Sequence, residues 1–435
     1  MLMKSPLEAW IARKTGCEQL TREKLEQYQL AQLQKTVRLA KAKSLFYRHR
    51  LAGFDAEKIT DFASFARLPF TYPKDLREDS LRFVCTSQAD IARIVTLQTS
   101  GTTGRPKRVY FTKADQELTL DFFHHGMLSL TGPGDRVLIL LPWQTPGSVG
   151  DLLQIALRRM QAVPLPYGPV SDPQAAVSYA LQSGATAIVG IPVQVLAMAR
   201  QPAGHLLRKK IKNVLLCTDY VPQAICRALE DAWGCSVFHH YGMTEMGLGG
   251  GVQCRALQGY HLREADLFFE IVDPASGEVL PEGETGEVVF TTLTREGMPL
   301  IRYRTGDVSS FLPDKCPCGT ILRSLALIKN RVDGLIPFGS GIITLPDLDE
   351  KLFAFDFILD YKAYVKKNKE QSELQLVLKT ADGSRADLAA VIKSVLTLPA
   401  LLEGDQRRFM LKVSEQPDFA AYTDGTAKRT ITVIQ

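Results

Sequence analysis

Between Arg136 and Tyr220 the chain repeats one alternation, a short apolar run followed by a stretch with helical spacing. The runs are RVLILLPW (Arg136–Trp143), ATAIVGIP (Ala185–Pro192) and NVLLCTDY (Asn213–Tyr220), with Asp151–Met160 and Pro173–Leu181 as helical stretches between them. Near-continuous apolar runs suit strands buried on both faces, whereas a half-exposed antiparallel sheet would alternate apolar and polar residues. Strands joined through helices lie parallel, because only a long crossover returns the chain to the same end of the sheet. The pattern favours an α/β fold built on helix-covered, mostly parallel sheets.

The flanking segments read differently. Leu20, Leu25, Tyr28, Leu33 and Val37 alternate with charged residues as in an amphipathic helix. Thr21 would be its N-cap and Glu23 would sit in the first turn, but Lys24 denies it a capping box. From Asp266 to Tyr303 the pattern is β-rich, with Ser276-Gly277 and Glu282-Gly283 as turns. After Arg331 a second pattern starts. It predicts a helix at Asp347–Phe355, strands at Tyr361–Val365 and Glu373–Leu378, a helix at Arg385–Leu396 and a strand at Arg408–Val413. The expected organisation is a large N-terminal domain, residues 1–331, that includes a β-rich subdomain, and a small C-terminal α+β domain, residues 332–435.

Charge restricts the partners. Lys and Arg number 52 against 47 Asp and Glu, a balance of +5 that is small beside the total. No nucleic-acid partner is expected, since such a partner calls for a basic stripe. The run HLLRKKIKN (His205–Asn213) is read as a solvated helix face. The most apolar stretch, Ala187–Ala199, is interrupted by Gly190, Pro192 and Gln194 and is too short for a bilayer, so no membrane partner is expected. MLMKSPLEAW lacks the apolar core of an export signal, and the eight cysteines then read as reduced thiols or metal ligands in a cytoplasmic protein.

The densest motif is TSGTTGRPK, Thr99–Lys107, directly after the strand-like run Ile91–Leu97. Gly101 and Gly104 allow close backbone approach to a ligand, Thr99, Ser100, Thr102 and Thr103 supply hydroxyls, and Lys107 supplies charge. These groups suit a polyphosphate, although GxxxxGK[ST] cannot be laid over them. The bland alternative is an ordinary polar turn, which the density of donors disfavours.

This stretch resembles the phosphate loop of the adenylate-forming superfamily of acyl-CoA synthetases, luciferases and peptide-synthetase adenylation domains. Four further motifs follow in that family's order: YGMTE (Tyr241–Glu245), YRTGD (Tyr303–Asp307), NRVDG (Asn330–Gly334) and DGTAKR (Asp424–Arg429). LFYRHRLAGFD (Leu45–Asp55), LPFTYPKDLRE (Leu68–Glu78) and GEVVFTTLTREGMPLIRYRTGD (Gly286–Asp307) are similar to the phenylacetate–CoA ligase branch, which includes coenzyme F390 synthetase-like proteins.

The resemblance implies an AMP-forming ligase that joins a carboxylic acid, such as an aryl or arylacetic acid, to AMP and then to CoA. ATP would be held by Thr99 to Gly104 and Lys107, with Tyr241 on adenine, Gly242 beside it and Thr244 on the α-phosphate. Glu245 would hold Mg²⁺, Asp307 would accept both ribose hydroxyls, and Arg331 and Asp219 would add nucleotide contacts. Lys428 would bridge the acid and the α-phosphate during adenylation. Asp333 would be the pivot about which a mobile C-terminal domain turns, and a homodimer is the candidate assembly. Trp143 and His240 are assigned to the acid pocket, with core packing as the competing reading of each. Ser340 stands where the nearest branch carries Arg, which makes CoA transfer a weaker implication than adenylation. Two alternatives stay open. One is an adenylyltransferase of the F390 type, or acyl transfer to a carrier protein without CoA. The other, of a different class, is a nucleotide-binding protein without activity.

One constellation stands apart from the nucleotide. Cys316-Pro-Cys318-Gly sets two thiols on one tight turn, and Cys254 with His261 forms C-x₆-H upstream. Three Cys and one His suit a closed tetrahedral Zn²⁺ of structural kind, against a null of reduced thiols and a packed His. Because these pairs flank Glu245 and Asp307, which the resemblance brings to one nucleotide, they are expected to meet. Cys17, Cys85, Cys217, Cys226 and Cys235 are expected to be buried apolar residues.

Overall fold

The computed structural model describes residues 4–97, 106–338, 341–367, 372–381, 386–402, 409–416 and 429–434. The chain forms two compact units, which interleave along the sequence.

The first unit takes residues 1–132, 155–160 and 240–328. Its helix Arg22–Lys43 begins as expected, with the Thr21 hydroxyl accepting the Lys24 N–H, and it buries Leu25, Leu33, Val37 and Ala40. Ile91–Leu97 pairs antiparallel with Lys107–Thr112, with Leu97 opposite Lys107, so the two ends of the phosphate-loop segment are held side by side. Leu267–Val272, Gly286–Thr292 and Tyr303–Ser309 form consecutive antiparallel strands. Behind them lies a core that includes Tyr47, Phe65, Phe83, Phe290 and Tyr303.

Charge is buried beside this core. Arg302 is 2% exposed, lies 4.1 Å from the ring of Phe70, and pairs with Glu270 at 3.0 Å. It also donates to the carbonyl oxygens of Ala66 and Leu68. A charge can stay in such a core only because a partner and hydrogen bonds replace its water.

The second unit takes residues 133–154, 161–239 and 329–435. Val163–Pro166, Arg136–Ile139, Ala187–Gly190, Asn213–Leu216 and the start of Ser236–Tyr241 lie side by side and all parallel. Ala187–Gly190 and Asn213–Leu216 are buried along their whole length, as their unbroken apolar runs require. Helices Pro173–Gln182 and Pro192–Ala199 each open on proline, whose fixed φ and missing N–H fit the first helical turn. The basic run is not a helix face. Only Gly204–Leu207 form a short 3₁₀ turn, and Lys209 sits at φ +61°, which ends any helix there. Within the C-terminal stretch the strand order is Phe409–Glu415, Ser372–Thr380, Ile358–Lys367, Ile431–Ile434. Helices Leu345–Leu352 and Leu388–Val395 accompany these strands.

Cys85, Cys217, Cys226 and Cys235 are buried, whereas Cys17 is only half-buried just beyond a helix end. Among the described residues no helix is long and apolar enough to cross a membrane.

Candidate active site and metal centre

Strand Ser236–Tyr241 delivers the YGMTE segment into the first unit, and the chain turns at once into the 3₁₀ turn Thr244–Met246. Glycine is required in that turn. A Cβ on Gly242 would lie 2.6 Å from the Leu248 carbonyl oxygen, and one on Gly249 would lie 2.3 Å from Phe122. The tight turn buries Glu245 to 1% exposure.

Glu245 meets three partners. Lys107, at the start of its strand, forms an ion pair with Oε1. The Tyr303 hydroxyl donates to the same oxygen at 3.1 Å, and Lys107 Nζ lies 3.3 Å from that hydroxyl. Arg295 Nη1 donates to the Glu245 carbonyl oxygen at 2.7 Å. Burial opposes ionisation of the Glu245 carboxyl, yet the Lys107 charge and these hydrogen bonds hold it below the usual carboxylate range. Sequence reasoning assigned no role to Tyr303 or Arg295. Both stand in the quoted stretch GEVVFTTLTREGMPLIRYRTGD, and position in a motif was the only signal available.

Two further residues of the expected nucleotide site also meet in this unit. The Tyr241 hydroxyl donates to Asp307 Oδ2 at 3.0 Å, and the Tyr241 ring tilts against Tyr260 at 5.7 Å. Gly306, at φ +79°, turns its N–H to Glu287 Oε1 inside strand Tyr303–Ser309. His240 lies 6.1 Å and 6.3 Å from the rings of Phe122 and Phe123. Burial brings its pKa down to about 4, so the imidazole is neutral near pH 7.

Four expected site residues fall in the second unit. Asp219 follows Thr218, whose φ of +79° is strained for a β-branched residue, and its Oδ2 lies 3.4 Å from the Arg429 N–H. Trp143 turns its indole edge toward Gly168. Arg331 Nε donates to the exposed Asp333 at 3.1 Å, a pair that solvent weakens. Thr99, Ser100, Gly101, Thr102, Thr103, Gly104, Ser340 and Lys428 lie outside the described residues.

The two halves of the cysteine constellation do meet. Cys254, His261, Cys316 and Cys318 are all buried, with their ligand atoms within 4.8 Å of one another. Cys254 Sγ lies 3.6 Å from Cys316 Sγ, and Cys318 Sγ lies 3.5 Å from His261 Nε2. A tetrahedral Zn²⁺ would set such S–S and S–N edges at about 3.8 Å and about 3.6 Å, so the donor set fits the metal. His261 Nδ1 lies 3.2 Å from the Ser324 hydroxyl, an outer partner that fixes the ring. Burial opposes the Cys318 thiolate, but the contact with His261 brings its pKa to about 6, while burial pushes the Cys254 thiol up.

The profile of the AMP-binding enzyme family matches residues 25–293, more than half of the chain. The chain belongs to that family. This AMP-binding enzyme is 26% identical over 408 residues to a phenylacetate-coenzyme A ligase of Thermus thermophilus, an alignment covering 91% of this chain and 89% of that protein. Among solved structures it matches 2-hydroxyisobutyryl-CoA ligase in the postadenylation state with R3-HIB-AMP. That match has a TM-score of 0.81 at 22% identity and covers 95% of this chain and 90% of that one. The same ligase with 2-HIB-AMP and CoA in its thioesterification state gives a TM-score of 0.67 at 23% identity over the same shares. At these identities the structural matches speak for the fold of the AMP-binding enzyme.

Proposed function

We infer that the protein is an AMP-forming acid–CoA ligase. It activates a carboxylic acid with ATP to an acyl adenylate and passes the acyl group to CoA as a thioester. The observation that carries this reading is the Lys107–Glu245–Tyr303 cluster, formed in one unit with the Tyr241–Asp307 pair. In adenylation a carboxylate attacks the α-phosphorus, the bond to the bridging oxygen breaks, and pyrophosphate leaves with added negative charge. Fixed cations and donors must meet that charge, and Lys107 lies at the mouth of the phosphate-loop segment to do so. The Asp307 carboxylate can accept both ribose hydroxyls. The ionised, buried Glu245 is a hard oxygen donor suited to Mg²⁺, which would add charge at the phosphate oxygens. Thr244 is assigned to the α-phosphate, and Gly242 and Tyr241 to the base. The Thr99 to Gly104 segment is assigned to the β- and γ-phosphates, and Asp219 and Arg331 to further nucleotide contacts.

For the acid, the neutral His240 against Phe122 and Phe123 favours an apolar or aromatic body, and Trp143 is carried as a further proposed acid-binding residue. Residues 332–435 are proposed to turn about Asp333 between the two half-reactions. The 2-hydroxyisobutyryl-CoA ligase solved in a postadenylation and a thioesterification state supports a two-step cycle of this kind. Structural Zn²⁺ on Cys254, His261, Cys316 and Cys318 is proposed from the donor geometry, and eight free thiols favour a reducing, cytoplasmic setting. A homodimer is carried as a proposal for sedimentation to decide.

A panel of acids assayed for CoA-dependent AMP release tests the function. At least one aryl or arylacetic acid should raise AMP formation only when CoA is present. Adenylate that forms and accumulates with no response to CoA would shift the reading to an adenylyltransferase, and absence of pyrophosphate exchange with every acid would leave only nucleotide binding. Lys428→Ala should lower acid-dependent pyrophosphate exchange roughly 10²-fold while ATP binding persists, the size of effect seen when one transition-state contact is removed. Exchange near the wild-type rate in that variant would remove Lys428 from the site.

A further inference from the structure

Helix Gln223–Trp233 starts after Pro222, which offers no side chain to cap it. Its free N–H groups are met from far along the chain. Glu350, in helix Leu345–Leu352, accepts the Gln223 N–H on Oε1 at 2.6 Å and the Ala224 N–H on Oε2 at 3.0 Å. The Tyr220 hydroxyl donates to the same Oε1 at 3.0 Å, and Arg227 approaches Oε2 at 3.9 Å. One carboxylate therefore performs the capping that a local Ser, Thr or Asp usually performs, at the end of the helix where the dipole favours negative charge.

Two neighbouring contacts join the same stretches. Arg200 donates to the carbonyl oxygens of Phe353 and Ile358. The Arg429 N–H faces Asp219, while its guanidinium pairs with Asp349 at 2.8 Å and Asp360 at 3.3 Å and lies over the rings of Phe353 and Tyr361. Arg429 directly follows Lys428 in the chain. The residue after the proposed adenylation lysine is thus tied at once to the C-terminal stretch and to Asp219, a proposed nucleotide contact. These three links to the 200–227 stretch are polar and lie beside the packing of helix Leu345–Leu352 on helix Gln223–Trp233. Water can satisfy the donors and acceptors of such links when they separate.

We propose that Glu350 is a positioning residue for adenylate formation, clamping the C-terminal stretch onto helix Gln223–Trp233 so that Arg429 stays against Asp219. This rests on the proposed ligase function and its two-step cycle. Releasing the clamp leaves the helix uncapped, so the clamped arrangement is favoured until thioester formation requires another.

The test compares Glu350→Ala, Glu350→Gln and wild type in the full-length protein. Pyrophosphate exchange is measured alongside single-turnover transfer of preformed acyl adenylate to CoA. Glu350→Ala should slow exchange about fivefold, ~1 kcal/mol, the worth of one helix cap, and leave transfer equal to wild type or faster. Glu350→Gln keeps one acceptor oxygen and should recover part of the exchange rate, a split that a general loss of stability would not give. Equal losses in both half-reactions, unchanged exchange, or a loss confined to transfer would each overturn the proposal. If the wild-type protein exchanges pyrophosphate with no acid, the proposed function fails by itself. Hydrogen exchange at the Gln223–Cys226 amides then decides the clamp, and protection in Glu350→Ala equal to wild type would overturn it.

Discussion

Glu245→Gln should lower acid-dependent pyrophosphate exchange by roughly 10³-fold and destabilise the first unit by on the order of 3 kcal/mol. The carboxylate is 1% exposed and carries the pair with Lys107, the Tyr303 hydroxyl bond and the proposed metal contact. Gln keeps one acceptor oxygen of nearly the same shape, so the turn can still close. What it removes is the charge, leaving the Lys107 ammonium without its counterion in a site of low polarity. Exchange within tenfold of wild type in a folded variant would show that the charge on Glu245 is not used. Acidification offers a second measure. The Glu245 carboxyl is held below its unfolded range, so the unfolded state takes up its proton first as the pH falls. The stability difference between wild type and Glu245→Gln should be constant near neutrality and shrink as the pH falls through the folded value. A difference that grows in acid would contradict the ion pair.

Cys316→Ser/Cys318→Ser should abolish zinc binding and lower the unfolding temperature sharply. Wild-type protein should carry stoichiometric zinc by elemental analysis, and a strong chelator should reproduce the variant's instability. The scale is large because a structural zinc contributes on the order of 10 kcal/mol of binding free energy to the folded state at neutral pH. Bound here, it would also join chain positions 254–261 to 316–318 and close the chain between them into a loop. Burial opposes thiolate formation at Cys254 and Cys316, so a binding metal would have to displace the protons of these two thiols. Zinc retained by the double Ser variant would refute the ligand set. Zinc lost without any change in unfolding temperature would refute its structural role.

What could be read in the amino-acid order was whatever is local or chemically distinctive. Thr21 caps its helix through a bond to Lys24, three residues away. Pro173 opens the helix read from Pro173 onward, because its fixed φ and missing N–H fit a first helical turn. Three Cys and one His in two short pairs admit so few uses that Cys254 and His261 could be set against Cys316 and Cys318 before any coordinates. The misses have a common cause. Whether HLLRKKIKN winds into a helix depends on Lys209 adopting positive φ, which its side chain does not announce. Tyr303 and Arg295 act on Glu245 across 58 and 50 positions, and neither residue type is rare enough to mark itself. The distant cap from Glu350 was invisible for the same reason: a Glu on a helix is ordinarily a solvated residue.

The glycines around Glu245 limit how this protein can change its substrate. Any side chain at Gly242 or Gly249 would strike backbone or Phe122, so neither position has room for one. On the proposed assignment of the acid, a new acid would be accommodated through changes at Phe122, Phe123, His240 or Trp143 rather than in the turn. A screen for altered specificity would do best to randomise those four positions and leave the turn untouched, since a changed pocket wall alters discrimination by the ~1–3 kcal/mol that each apolar contact carries.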